Sequence, residues 1–135
     1  LAGPCLPAAR QAVAEDRRVP LPPLPAVAWW QPQCLTNAIG CILSDIAGPA
    51  YTGYLYREQD AAARLRLLQA GLWLRGQALQ DADAVTARLR ALPAGLRSAH
   101  RPITLSADGT ALETPAYARQ GQVLRMPLPL AASSP

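Results

Sequence analysis

Residues 50–79 read AYTGYLYREQDAAARLRLLQAGLWLRGQAL, and how this stretch folds decides the rest. It contains no proline and is rich in Ala, Leu, Arg and Gln, residues that lose little on entering a helix. Spaced at about 100° per residue, Tyr54, Ala61, Leu65, Leu68, Leu72 and Leu79 fall on one narrow face. Tyr56, Ala63, Leu67, Ala70 and Leu74 form a second apolar strip, roughly opposite. Arg57, Arg64 and Arg75 make a ridge between the two, with Asp60 four residues ahead of Arg64 for a helical ion pair. A helix apolar on two sides is either central to its own domain or shared with a partner. In a 135-residue chain with few other long elements to cover it, sharing gains weight.

Upstream, Asn37 is a good N-cap for a first helix carrying Ile39, Ile42, Leu43 and Ile46, which Gly48-Pro49 should end. From Asn37 to Tyr56 the only charge is Asp45, with Tyr51, Tyr54 and Tyr56 at one end like an interfacial belt. Asn37, Asp45 and Gly48-Pro49, in a window barely at the required length of about 20 residues, argue against a membrane-spanning helix. Residues 1–33 hold the run Val19-Pro20-Leu21-Pro22-Pro23-Leu24-Pro25 and read as an extended arm, with room for a short helix from about Pro7 to Arg18. Trp29 and Trp30 follow, and two adjacent indoles on an extended arm point to opposite sides, so at least one needs a surface to pack on.

Downstream, Asp81 or Asp83 caps a shorter helix bearing Val85, Leu89 and Leu92, stopped by Pro93 and Gly95. Ile103 and Leu105 then alternate with Thr104 and Ser106 around the turn dipeptide Asp108-Gly109, predicting a β-hairpin over 103–114. Gln122 to Leu128 can add a third strand, confined to an edge by Pro127. The expected architecture is helix-dominated α+β. It has a Pro-rich arm at 1–33, a small helical domain with a C-terminal hairpin at 34–130, and a flexible tail at 131–135.

Half of the residues are apolar and 16% are charged, too apolar for a disordered chain and enough for one core. Scattered prolines exclude a coiled coil, dispersed glycines exclude collagen, and three cysteines are too few for a disulfide scaffold. The first residue is Leu1 rather than Met, the mark of a processed product or a fragment. Leu1-Ala2-Gly3-Pro4 before Cys5 departs from a lipoprotein cleavage box by its proline. Cys34 and Cys41 within one helix would stand about 10 Å apart, too far to bridge. Cys5 with Cys34 is therefore the preferred disulfide, with a buried free thiol as the alternative for each.

Catalytic signals are sparse. The single histidine, His100, sits in the loop Ser98-Ala99-His100-Arg101-Pro102, flanked by a basic residue rather than by a carboxylate. No Gly-x-Ser-x-Gly elbow, Cys-x-x-Cys pair or glycine-rich phosphate loop occurs. No catalytic residue, metal or cofactor is expected. A small hydrolase or thiol enzyme using His100 with Ser or Cys is the alternative. The net charge of +4 is carried by the stretch from Arg57 to Arg101, where arginines interleave with Leu and Ala and no aromatic platform for nucleic acid accompanies them. A solvated face with local ion pairs is the preferred reading, and an acidic protein partner or an anionic lipid surface lies between it and a phosphate-binding face.

One resemblance runs from Asn37 onward. Asn37-Ala38-Ile39-Gly40, Ile42-Leu43, Ile46-Ala47, Pro49-x-Tyr51, Tyr54, Asp60, Arg64-Leu65 and Leu68-Gln69, followed by the hairpin, resemble the C-terminal region of uncharacterised, membrane-anchored proteobacterial cell-envelope proteins. That family has Pro where Ala38 stands and often Asn-Pro where Arg101-Pro102 stands. The resemblance implies a location, the bacterial envelope, periplasmic or secreted, and no activity. The resulting expectation is a non-catalytic structural or accessory subunit, bound to other protein subunits, with no nucleic acid and no transmembrane helix. Its partner-binding residues would be Trp29, Trp30, Tyr56, Leu67, Leu74, Arg57, Arg64 and Arg75.

Overall fold

The computed structural model describes residues 5–21, 30–77 and 81–128. Its elements are α1 (Cys5–Ala14), α2 (Pro32–Thr36), α3 (Ala38–Arg75), α4 (Ala82–Arg90), a 3-10 turn (Ala94–Leu96), and the strands β1 (Thr104–Leu105), β2 (Ala111–Pro115) and β3 (Val123–Pro127). The class is helix-dominated α+β, with a small antiparallel sheet ordered β1-β2-β3.

The expected break at Gly48-Pro49 does not occur, and the two helices read from the sequence are one, α3, of 38 residues. A proline removes a single ladder hydrogen bond. The flanking stretch, helix-forming and almost free of charge, carries the backbone through. Asn37 caps α3 by accepting the Gly40 N–H at 3.0 Å, and a Cβ on Gly40 would collide with the Asn37 side chain, so the cap requires glycine there.

Asp81 caps α4 by accepting the Ala84 N–H at 2.7 Å. The hairpin forms at the expected place, with Thr104 opposite Glu113 and Leu105 opposite Leu112. Its turn is closed by the Gly109 N–H donating to the Ser106 carbonyl at 2.9 Å, with Gly109 at φ 72°, a conformation glycine adopts without strain. β3 pairs Met126 with Leu112 and Leu124 with Thr114, so the period of two turns these side chains inward and leaves Val123 and Arg125 exposed.

The core is made where the C-terminal half of α3 lies across β2 and β3. Ala63, Leu67, Ala70 and Leu74 meet Leu112, Leu124 and Leu128 there, while Val85, Leu89 and Leu92 close the side next to β1. Burying one such leucine contributes about 1.5–3 kcal/mol.

The short helix expected within the N-terminal arm forms, as α1, but the segment docks on the domain rather than extending from it. Residues 5–21 contain α1 and fold back onto α3, with Ala12 and Val19 buried. α1 ends with Asp16 at φ 52°; the Arg17 N–H donates to the Ala12 carbonyl and the Asp16 N–H to the Val13 carbonyl, so Asp16 takes the left-handed position usually given to glycine. Residues 22–29, with the rest of the proline run and Trp29, lie outside the described residues, as does the tail at 131–135.

Candidate functional site

The two strips of α3 meet opposite fates. The strip expected to bind a partner is internal: Leu67 is 1% exposed and Leu74 2%, both inside this chain's own core. This corrects their assignment, because neither can reach a partner without unfolding the domain. Tyr56 is half-buried; its hydroxyl donates to the Val19 carbonyl at 3.1 Å, and the Arg18 guanidinium lies 4.3 Å from its ring centre.

The other strip is bare. Ile39, Leu43, Ile46, Tyr54, Leu65, Leu68 and Leu72 are all exposed, and at about 100° per residue they fall within an arc of about 100°. The stripe runs about 50 Å along the helix. Leu35, Tyr51 and Trp30 are further large apolar side chains that stand exposed. Arg57, Arg64 and Arg75 are exposed as well.

Beneath the stripe, a buried ionic network fastens α3 to both ends of the chain. The Arg101 side chain is fully buried; one terminal nitrogen donates to Asp60 at 2.9 Å, the other to Asp16 and to the Gln59 carbonyl at 2.8 Å. Its guanidinium stacks 4.0 Å from the centre of the Tyr117 ring. Asp60 also accepts the backbone N–H groups of Tyr117 at 2.8 Å and Ala118 at 3.0 Å. Arg66 donates to Asp16 at 2.5 Å, and the Tyr117 hydroxyl to the Asp16 carbonyl at 2.8 Å. Two carboxylates thus face two guanidiniums, and the charge closes.

Burial acts to raise the Asp16 carboxyl, yet hydrogen bonds from Arg101, Arg66 and Ser98, with the Arg101 charge, outweigh it and hold the group below the ordinary range. Burial pushes the Tyr117 phenol up. The expected pairing of Asp60 with Arg64 is replaced by this network.

The disulfide also differs from expectation. Cys34 bonds Cys41, with Cα atoms 5.6 Å apart. The bridge is feasible because the two cysteines do not share a helix: the chain turns at Asn37, at φ −139° and ψ 63°, between α2 and α3. Cys34 is therefore not available to Cys5. A disulfide fits an oxidising, extracytoplasmic compartment. It also consumes both thiols that a Cys–His pair would have used. His100 is exposed and enters none of the hydrogen bonds among the described residues. Among the described residues no group of His, Cys, Asp and Glu is arranged to hold a metal ion, and no helix is long and apolar enough to cross a membrane.

The functional surface was half legible: both strips are visible in the helical period, but which of them the sheet covers is not. Arg101 and Asp16 escaped notice because their partners lie 41 and 85 positions away, beyond any local spacing. Comparison of the chain with known protein families, with curated proteins and with solved structures finds no match.

Proposed function

We propose that this protein is a non-catalytic accessory subunit of a bacterial extracytoplasmic assembly, periplasmic or secreted, acting through protein–protein contacts along the exposed stripe of α3. The observation that carries this reading is the stripe from Ile39 to Leu72, two groups of exposed apolar side chains on one side of α3, Ile39 to Tyr54 and Leu65 to Leu72, with Arg57 and Arg64 between them. Exposed apolar surface of this kind is costly in water, and its burial against an apolar helix face of another subunit returns about 1.5–3 kcal/mol for each large side chain covered. Arg57, Arg64 and Arg75 lie along one side of the same arc and favour a partner with acidic residues on its apolar face. The stabilising disulfide supports the extracytoplasmic placement.

The test is the triple variant Leu65→Gln, Leu68→Gln, Leu72→Gln in the full chain. These side chains are exposed, so the thermal midpoint should hold while association, read by native mass spectrometry of material purified from its source, is lost. A native chain that runs as a monomer without partners at micromolar concentration, with and without reductant, would overturn the reading.

A further inference from the structure

A groove of about 530 Å³ lies between α3 and the segment from the end of β2 through β3, lined by Arg57, Asp60, Arg64, Arg119, Gln122 and Arg125. The charges in it do not balance. Asp60 is 3% exposed and both its oxygens are occupied by Arg101 and by the Tyr117 and Ala118 N–H groups, so it does not answer the arginines. Arg125 is partly answered on the sheet, by Asp108 at 2.6 Å and Glu113 at 3.8 Å. Arg57, Arg64 and Arg119 enter no ion pair among the described residues. Arg57 and Arg64 stand two helical turns apart on one side of α3, about 10 Å along its axis, and Arg119 faces the same groove from the β2–β3 connection.

We propose that this groove is a binding site for a phosphomonoester group. Its charge of about −1.5 to −2 and three acceptor oxygens match several guanidiniums at once, with up to twice the charge of a carboxylate. The volume accommodates more than the bare anion, and the Gln122 amide adds a neutral donor and acceptor for what the phosphate is attached to. The same chemistry is offered by a soluble phosphorylated compound and by a lipid headgroup. The site is argued from the groove and not from the stripe, and it shares Arg57 and Arg64 with the partner surface proposed above.

The experiment titrates the full chain with inorganic phosphate, and separately with phosphatidylcholine vesicles with and without phosphatidic acid, using Arg64→Gln, Arg119→Gln and the control Arg90→Gln on α4. Saturable phosphate binding weakened about tenfold or more by Arg64→Gln and by Arg119→Gln, and unchanged by Arg90→Gln, supports a soluble ligand. Binding confined to the phosphatidic acid vesicles, with the same dependence on Arg64 and Arg119, supports a lipid-borne one. These arginines are exposed, so all three variants should keep the native thermal midpoint. Absence of saturable binding in both arms, or equal weakening by Arg90→Gln, overturns the proposal.

Discussion

Removing the guanidinium of Arg101 leaves the Asp60 carboxylate buried without its cation. Breaking a buried pair on one side costs about 3–5 kcal/mol, so Arg101→Met should lower the unfolding free energy in urea by that order. Arg101→Lys should recover only part of the loss, because one ammonium cannot span Asp16, Asp60 and the Gln59 carbonyl or stack on Tyr117. An Arg101→Met protein within about 0.5 kcal/mol of the native chain would contradict the role given to the network. Local spacing pairs Asp60 with Arg64, and the reason that reading fails is energetic. An exposed pair one turn apart contributes about 0.2–0.5 kcal/mol. The buried alternative satisfies two backbone N–H groups and a guanidinium together.

Among the elements, α2 depends most on a single covalent bond. It is five residues long, its packing partner is α3, and the Cys34–Cys41 bridge closes the turn between them. Closing so short a loop contributes about 2–3 kcal/mol in the chain-entropy account. Reduction should therefore release α2 and leave the core folded. Hydrogen exchange with and without reductant should show faster exchange at residues 32–41 and unchanged protection from Ala63 to Leu74. Cooperative loss of both would show that the bridge supports the whole domain. The helical period made α3 and α4 legible, and the Asp108-Gly109 dipeptide located the hairpin turn. Two features were not legible: the passage of α3 through Gly48-Pro49, and the short helix α2 ahead of the expected Asn37 cap, which puts Cys34 and Cys41 in different helices. In the first the flanking stretch outweighs one proline, and the second decides which cysteines can meet.

For the molecule as a whole, pH acts through groups at the ends of the chain's path. Hydrogen bonds from Ser106, Thr110 and Arg125 hold the Asp108 carboxyl well below its ordinary range, and Asp16 is lowered as well. A carboxyl lowered by folding stabilises the native state above its unfolded value, about 3.9, and that contribution disappears as pH falls through the folded value. The raised Tyr117 works in the opposite direction: its contribution is complete below about 10 and is lost as pH climbs through the folded value. Unfolding free energy should therefore be flat between about pH 5 and 9 and fall on either side. Asp16→Asn should flatten the acid limb, and an acid limb of undiminished steepness in that variant would assign the sensitivity elsewhere. The α+β class was legible because helical and alternating patterns occupy separate parts of the chain. The return of α1 onto α3 was not, since proline content describes what a segment cannot form and says nothing of where it docks.

The Arg101 network also sets an order in time. It joins Asp16 to Arg101 and to Tyr117, contacts separated by 85 and 101 positions, so it cannot close in full until the chain has been made as far as Tyr117. During synthesis α1 and α3 can form turn by turn from local bonds and meet through Asp16 and Arg66, while the buried Arg101 centre waits for the β2–β3 connection to emerge. A chain whose buried centre closes this late is held only by its shorter-range contacts while most of it is being made.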